Sequence, residues 1–557
     1  MSAIEQEPAW KAAAVAGCVV MAAACLWLFL PVVEGYFISD DFVPLALFAH
    51  WQDQGTFASH VLSKLWSGLD AEPNHFYRPL SYLTFALNYV TSGAHAWPWM
   101  SVNVVLHLLS GALVGRLGVR LAAPVSRWQG IAAGTLGATF FLFAAPGAEV
   151  VAWISGRFDA CATFFTLLAC YLFVSSRAPR DKAWWGAVAA GVAAVLSKES
   201  SAIMPTAILA IAWARPAMAA LAWKTRVMRS FRDAAPWLVI AALYLLGRRL
   251  MFGTMMQVYA GSQPLSAMFS VEHWSDIASL LPDWLSGHFT PARRIPILVG
   301  LTLLQLVLFT LVRRPARDAA LAMVAIVVLS LVLVLPHVDQ FGAGIIGGRL
   351  FYQSFAFYGV LVAVALCHAR LAYMLWGSSL GLALLHGAFM HQAVGRWETA
   401  YAQMRSLVDE IHALDRLLAP GEYGLVLVPG PLNGIPFAAN AQGGLMLPPV
   451  FDPPVASHLL VQLDDEAVDI PAKVRDGVVS TLRRESVWQY MGGKRVAATP
   501  PEFPTAAYCW DPLSARLAKL RLAPFTTPEE YGGALQAAIA AGPCARHPPA
   551  RSASARR

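Results

Sequence analysis

Long apolar runs separated by short polar connections dominate the first 392 residues of the chain. A membrane-spanning helix needs about 20 mainly apolar residues, and eleven segments approach that length. They are residues 10–33, 97–119, 130–146, 155–175, 183–198, 200–214, 234–252, 295–312, 319–336, 349–369 and 372–391. The first is too long for a typical signal peptide, so we interpret it as a retained anchor. The pattern predicts an all-α polytopic membrane protein with about 11 transmembrane helices.

Composition supports this interpretation. The chain has 557 residues, of which 57% are hydrophobic and 13% charged, and its mean hydropathy is +0.53. Soluble domains carry roughly 25% charged residues, and a single soluble core stops growing near ~250–300 residues. These values exclude a wholly soluble protein, a disordered chain and a disulfide scaffold. The net charge of +7 comes from basic residues in short connections, so no nucleic-acid partner is expected.

Basic residues occupy every second connection between the predicted spans. They are Arg116, Arg120 and Arg127; Arg177, Arg180 and Lys182; Arg215, Lys224, Arg226, Arg229 and Arg232; Arg313, Arg314 and Arg317; and Arg370. The positive-inside rule predicts that these connections and the N-terminus are cytoplasmic, so the C-terminus lies outside. Short loops and the absence of eukaryotic retention signals favour a bacterial inner membrane, with the C-terminal domain in the periplasm.

The outer side therefore receives loops 34–96, 253–294 and 337–348, and everything after residue 392. We predict a transmembrane domain over 1–392, a C-terminal extracytoplasmic α/β domain over 393–540 and a basic, disordered tail over 541–557. The domain starts with a helix-like run, Trp397 to Leu418, followed by a strand-like stretch at 424–429. Cys509 and Cys544 lie in it, and their pairing stays open because the sequence does not report their distance.

Two adjacent carboxylates, Asp40 and Asp41, follow the first span. A solvated loop start is the simple explanation for such a pair. However, they belong to a long outer loop that ends in Tyr77, Arg78 and an amphipathic stretch. A carboxylate at the membrane surface under a structured loop can serve as a general base on an acceptor hydroxyl. Neighbouring carboxylates also raise each other's pKa towards that role.

Ionisable residues at membrane depth or at its edge are functional candidates. Snorkelling, capping or local pairing explains each one singly, and for Arg157 and Asp159 a local ion pair is the simple alternative. Together, five cations would share the outer face, where few are expected: Arg78, Arg157, Lys198, Arg248 and Arg349. Clustered cations suit a phosphate or pyrophosphate headgroup. The predicted ligand is a lipid-linked anion delivered from the bilayer.

Five segments resemble known sequences. The SDDF run at 39–42 matches the first-outer-loop acidic motif of the GT-C glycosyltransferase superfamily. Residues 77–113 resemble the protein O-mannosyltransferase-like branch. Residues 149–159, 196–200 and 348–357 are similar to transmembrane O-mannosyltransferases that carry TPR repeats. The resemblance covers about residues 30–370 in consistent order. The chain departs from that branch by lacking the repeats and by having Gly348 in place of an acidic residue.

The resemblance implies a GT-C fold and an inverting transferase that uses a polyprenyl-phosphate sugar on the non-cytoplasmic side. By position, Asp40 matches the family's catalytic acidic residue, which deprotonates the acceptor, and its neighbour Asp41 could exchange roles with it. Arg248 and Arg349 fall where the family binds the donor phosphate. Lys198 and Arg249 are further candidates for binding that phosphate. The candidates for lining the substrate cavity are Arg78, Tyr77, Glu149, Arg157, Asp159 and Glu199.

No cofactor and no catalytic metal are expected, because His75, His288 and His337 lack metal-ligand spacing. A divalent cation held by acidic motifs, as in some GT-C enzymes, is the less favoured alternative. Two other functions stay open. A secondary transporter of an anionic or lipid-linked substrate would also contain buried charges, but it predicts internal repeats that the sequence does not show. A non-catalytic membrane scaffold of the same fold is the other. The sugar and the acceptor, whether protein, lipid or glycan, stay open, as does a pyrophosphate-linked oligosaccharide donor.

Overall fold

The structure is a computed structural model that describes most of the chain. The described residues are 3–67, 69–71, 74–124, 126–255, 270–271, 274–275, 295–334, 347–419, 422–439, 441, 444–455, 458–464, 504 and 506–542. Several predicted features lie outside these ranges. They are most of loops 253–294 and 337–348, the residues Cys544, His288 and His337, and nearly all of the tail.

Helices account for most of the described chain. The α-helices are α1 (Ala3–Val33), α2 (Phe42–Asp53), α3 (Phe57–Ser67), α4 (Pro79–Ser92), α5 (Ala96–Ala122), α6 (Arg127–Leu142), α7 (Gly147–Ala152), α8 (Arg157–Ser175), α9 (Lys182–Val195), α10 (Met204–Ala214), α11 (Pro216–Ala219), α12 (Trp223–Phe252), α13 (Ile295–Thr310), α14 (Arg314–Val332), α15 (Tyr352–His368), α16 (Ala372–Leu417) and α17 (Pro528–Ala541). Every one of the eleven predicted spans overlaps a helix. The prediction of a multi-pass helical membrane protein is confirmed.

Within the described ranges, five helices are long and apolar enough to cross a membrane. They are Pro8–Val33, Ala96–Ala122, Ile154–Ser175, Trp223–Phe252 and Gly348–His368. Other predicted spans are shorter: α6 and α13 have 16 residues each, α9 has 14 and α10 has 11. At 1.5 Å per residue, 16 residues extend about 24 Å, which is less than the roughly 30 Å of a hydrocarbon core.

Short 3-10 turns stand where four of the quoted sequence motifs lie. They are Ser39–Asp41, Ile154–Gly156, Glu199–Ile203 and Gly348–Phe351, and an α-helix follows each one directly. Such turns are common at the amino ends of α-helices. Asp159 lies in the first turn of α8, and Glu199 is the first residue of the 3-10 turn Glu199–Ile203. A carboxylate is stabilised there by the helix dipole.

The chain divides into two compact units. The first comprises residues 1–33, 63–84 and 100–395. Helix α15 is its central element, because it packs against α6, α14 and α8. Glycines allow these helices to approach closely. A Cβ atom on Gly137 would lie 2.5 Å from the carbonyl oxygen of Gly359 and 2.9 Å from the Cβ of Ala363. Small residues at helix contacts are typical of membrane helix packing, because they let backbones meet.

The second unit comprises residues 34–62, 85–99 and 396–557. The domain predicted from residue 393 onward covers only part of this unit, because two pieces of loop 34–96 group with the C-terminal residues. The predicted helix-like run from Trp397 is confirmed. It continues α16, which has 46 residues and includes the predicted span 372–391. Loop 34–96 itself contains α2, α3, α4 and a hairpin of β1 (Leu69–Ala71) and β2 (Asn74–Phe76).

A mixed four-stranded sheet forms the C-terminal part of the second unit. Strand β3 (Gly424–Val428) pairs in parallel with β4 (Leu459–Leu463) and with β5 (Ala506–Asp511), and β6 (Arg516–Lys519) pairs antiparallel with β5. The predicted strand at 424–429 and the predicted α/β character are confirmed. All five residues of β3 and of β4 are buried. Cys509 on β5 is disulfide-bonded, whereas the five cysteines at 18, 25, 161, 170 and 367 are free.

We expect Gly137→Ala to lower the free energy of unfolding by about 1–3 kcal/mol, because its methyl group would overlap backbone atoms that cannot move aside. The measurement is the thermal unfolding temperature of the protein in detergent. Gly300→Ala is the matched control, since a Cβ atom there would meet nothing within 4 Å. Equal unfolding temperatures for the two variants would contradict this account of the helix packing.

Candidate active site

Three ion pairs connect the charged motifs of the first unit. They are Arg78 with Glu199, Lys198 with Asp159, and Arg349 with Glu149. All six residues were candidates from the sequence. The structure pairs each cation with a carboxylate from a different motif, at positions between 39 and 200 residues apart in the chain.

The Lys198–Asp159 pair is almost fully buried. The ammonium group of Lys198 donates hydrogen bonds to both carboxylate oxygens of Asp159, each at 2.7 Å. The side chains are 4% and 7% exposed. The simple expectation of a local Arg157–Asp159 pair is therefore wrong. Asp159 neutralises Lys198, which argues against this lysine as the principal phosphate ligand.

Arg78 joins the segment at 77–81 to the segment at 196–200. Its Nε donates to Glu199 at 2.9 Å and its Nη2 donates to the other carboxylate oxygen, which is the bidentate geometry of a strong pair. The guanidinium also lies 4.4 Å from the ring centre of Phe76 and 4.9 Å from that of Phe158. Backbone contacts reinforce the junction, because the Leu80 N–H donates to the Leu196 carbonyl oxygen at 3.0 Å.

Glu149 receives three hydrogen bonds from the start of the late-helix motif. The Arg349 Nη1 donates to it at 2.7 Å, and the backbone N–H groups of Gly347 and Arg349 donate at 3.0 and 2.9 Å. Burial raises the pKa of the Glu149 carboxyl, while Arg349 and the two N–H groups oppose that rise. Arg349 stays partly exposed and lies 4.8 Å from the ring centre of Trp153. Arg349 thus joins the start of the late-helix motif to α7.

Arg157 is fully buried, and two of its N–H groups donate to oxygens of Asn103 and Thr84. Its Nε donates to the side-chain oxygen of Asn103 at 2.9 Å, and its Nη1 donates to the Thr84 carbonyl oxygen at 3.4 Å. The Asn103 amide in turn donates to the carbonyl oxygens of Val150 and Trp153. This network shapes the connection between α7 and α8. The sequence analysis did not single out Asn103, although a polar residue within an apolar span was its signal.

Arg248 is 0% exposed near the end of α12, and its Nε donates to the Met255 carbonyl oxygen at 3.1 Å. One turn earlier on the same helix, the Tyr244 hydroxyl donates to the Tyr77 carbonyl oxygen at 3.3 Å. That hydroxyl interacts electrostatically with Arg78, Glu199 and Arg248. Tyr77 and Arg248 are thus placed beside the Arg78–Glu199 pair. The neighbouring Arg249 is exposed, so the structure separates the two arginines that the sequence grouped as phosphate ligands.

These contacts form one continuous set of charged groups within the first unit. The named members are five cations and three carboxylates. The cations are Arg78, Arg157, Lys198, Arg248 and Arg349, and the carboxylates are Glu149, Asp159 and Glu199. Four of the five cations are arginines, and the planar guanidinium group matches the geometry of a phosphate.

The acidic pair lies in the second unit, on the 3-10 turn Ser39–Asp41. Asp41 is 1% exposed and accepts a hydrogen bond from the Ile38 N–H at 3.1 Å. Asp40 is partly exposed. Burial raises the pKa of the nearby Tyr401 phenol, the carboxylates of Asp41 and Glu398 raise it further, and Arg405 lowers it. Tyr401 is therefore neutral near pH 7. Asp40 is the more exposed of the two aspartates.

Within the described parts of the chain, no group of three or more His, Cys, Asp and Glu side chains is placed to hold a metal ion.

The chain is similar to two solved structures. One is ArnT from Cupriavidus metallidurans in the apo state, with 13% sequence identity, a TM-score of 0.41 and coverage of 82% of this chain and 91% of that chain. The other is ArnT from Cupriavidus metallidurans bound to undecaprenyl phosphate, with 14% identity, a TM-score of 0.31 and the same coverage. No protein-family model and no curated protein matches the sequence. Both TM-scores are low, so we infer function from the residues of this chain.

We expect Asp159→Asn to lower the free energy of unfolding by about 3–5 kcal/mol, because it leaves the Lys198 ammonium buried beside a neutral amide. Removing both charges, in Asp159→Leu with Lys198→Met, should restore most of the loss. Thermal unfolding in detergent measures both effects. Asp53→Asn is the matched control, since Asp53 is exposed. If Asp159→Asn unfolds at the temperature of the control, the pair does not stabilise the protein.

Proposed function

We propose that the protein is a membrane glycosyltransferase of the GT-C type. It would transfer a sugar from a polyprenyl-phosphate donor to an acceptor on the non-cytoplasmic side, with inversion at the sugar carbon. We propose the bacterial inner membrane as its location, with the N-terminus cytoplasmic and the C-terminal domain periplasmic. The O-mannosyltransferase-like branch stays a prediction, and the sugar and the acceptor stay open. The proposal includes no cofactor and no catalytic metal.

The buried set of charges in the first unit is the observation that carries this proposal. Burying a charge in a helical membrane unit is costly, so charged residues there mark functional sites. Arg157 and Arg248 are fully buried in this unit, and guanidinium groups suit an anionic headgroup. The unit also has helices long and apolar enough to cross a membrane, which suits a ligand attached to a lipid chain.

Arg248 and Arg349 are the proposed ligands of the donor phosphate. Arg349 is partly exposed, and its planar guanidinium group suits a phosphate. Arg248 adds a fully buried guanidinium. Lys198 and Arg78 are paired within the protein, and we assign them to holding the motifs in place. Fixed cations would stabilise the phosphate as it leaves, and so lower the barrier as well as bind the donor.

Asp40 is the proposed general base. In an inverting transfer, the acceptor hydroxyl attacks the sugar carbon, the bond from that carbon to the phosphate oxygen breaks, and the hydroxyl proton moves to the base. A partly exposed carboxylate can accept that proton. Its contribution to the rate would be about 100-fold to 10,000-fold.

We expect the purified protein to bind one member of a panel of polyprenyl-phosphate sugars. Arg248→Ala should weaken that binding about 10- to 100-fold, the loss expected for a hydrogen bond to a charged group. Asp40→Asn should bind the donor as wild type does, yet lose transfer by at least about 100-fold. Binding is measured by thermal shift or by calorimetry, and transfer by release of polyprenyl phosphate.

Arg229→Ala is the matched control, since Arg229 lies on the same helix as Arg248 but is exposed. Equal weakening in both arginine variants would mean a nonspecific charge effect and would refute the Arg248 assignment. Donor binding without any transfer in wild type would favour a transporter or scaffold. Normal transfer by Asp40→Asn would exclude Asp40 as the base.

A further inference from the structure

The 3-10 turn Ser39–Asp41, which carries both aspartates, is attached to the segment that follows strand β3. The Ser39 N–H donates to the carbonyl oxygen of Phe437 at 3.0 Å, and the Ser39 hydroxyl donates to the carbonyl oxygen of Ala439. Ser39 has a φ of 57°, a left-handed conformation that is unfavourable for a residue with a side chain. Such a conformation persists only where the surroundings impose it. Here the two hydrogen bonds to the C-terminal segment do so.

Gly444 holds the other end of the turn. A Cβ atom at this position would lie 2.2 Å from the carbonyl oxygen of Phe42, 2.5 Å from its carbonyl carbon and 3.0 Å from the Val43 nitrogen. All three are backbone atoms, so no side chain could rotate to relieve the overlap. Phe42 directly follows Asp41. The absence of a side chain at residue 444 therefore lets the C-terminal segment reach the backbone of the turn.

Arg405, on α16, holds the chain that leads into the turn. Its Nη2 donates to the carbonyl oxygens of Glu34 and Gly35, the latter at 3.0 Å. Its guanidinium also lies 5.5 Å from the ring centre of Tyr36. Residues 34–36 are thus fixed by a cation from the C-terminal part of the same unit. The turn is held before, within and after its own three residues.

The two aspartates are not equivalent in this arrangement. One Asp41 carboxylate oxygen accepts from the Ile38 N–H, and the Asp41 N–H donates back to the Ile38 carbonyl oxygen, both at 3.1 Å. This reciprocal pair closes the turn and uses the carboxylate of a residue that is 1% exposed. Asp40 is left as the partly exposed carboxylate of the turn.

We infer that the C-terminal domain is a structural support for the catalytic turn, in which Arg405, Gly444 and Asp41 are positioning residues and Asp40 reacts. This inference deepens the proposed function and rests on it for the reacting role of Asp40. The support itself rests on the contacts alone. It assigns a role to the C-terminal domain, because removing its contacts would release the turn even with both aspartates present.

Gly444→Ala tests the support in the full-length protein. Hydrogen–deuterium exchange of the backbone at residues 36–43 should accelerate at least about tenfold, because the displaced turn loses its hydrogen bonds. Transfer should fall at least about tenfold in kcat with unchanged donor affinity. Gly533→Ala, in α17 of the same unit, is the control, since its Cβ atom would meet nothing within 4 Å. Unchanged exchange at 36–43 in Gly444→Ala would overturn the inference.

Arg405→Ala gives a second route in case Gly444→Ala does not fold. It should accelerate exchange at the same residues, whereas Arg416→Ala, an exposed arginine on the same helix, should not. Equal exchange in the two arginine variants would also overturn the inference.

Substitutions of the aspartates separate positioning from reaction. Asp41→Asn keeps an oxygen that can accept from Ile38, so transfer should fall less than about tenfold with an unchanged pH profile. Asp41→Ala loses that acceptor and should accelerate exchange at 36–43. Asp40→Asn should lose at least about 100-fold in kcat without a change in exchange. An Asp41→Asn variant as inactive as Asp40→Asn would refute the positioning role of Asp41.

The structural support and the proposed function can be refuted separately. If wild type transfers no sugar while Gly444→Ala and Arg405→Ala accelerate exchange at 36–43, the support stands and the proposed function is wrong. If wild type transfers sugar but neither variant changes exchange or kcat, the transferase stands and the support is wrong.

Discussion

The cost of burying charge in a helical membrane unit is the constraint on which the rest of this structure depends. An unpaired buried ion is destabilising by several kcal/mol, so Lys198 can be nearly inaccessible only because Asp159 accepts two hydrogen bonds from it. This pair also holds two segments of the chain together. Asp159 lies in the first turn of α8 and Lys198 follows the end of α9, so the start of α8 is fixed to the segment after α9. The Arg78–Glu199 pair joins that same segment to the start of α4.

Pairing with a carboxylate is not the only way in which the named cations are held. Arg157 donates to the neutral oxygens of Asn103 and Thr84, and Arg248 donates to a backbone carbonyl oxygen. These hydrogen bonds hold each guanidinium group in a fixed position. The proposal gives the cations two roles, since some hold the motifs together and others are proposed to hold a ligand.

The sequence alone predicts the helices, the strand at 424–428 and the identity of the charged residues, because length, hydropathy and isolated polar residues are local signals. It does not predict the partners. Asp159 pairs with Lys198 instead of the nearby Arg157, and the Ser39 turn contacts residues 400 positions away. Such pairings depend on which helices pack together, and no local pattern reports that. Gly444 is a further example, since nothing in its neighbourhood indicates that Phe42 lies against it.

The most direct test of the central claim is an experimental structure of the protein with a polyprenyl phosphate bound. The account predicts that the phosphate lies within hydrogen-bonding distance of the guanidinium groups of Arg248 and Arg349. The Lys198–Asp159 pair should stay intact in the same structure. A phosphate bound elsewhere, on the basic connections between helices for example, would contradict the account. So would a bound phosphate that separates Lys198 from Asp159, because the pair would then be a ligand site and not a structural link.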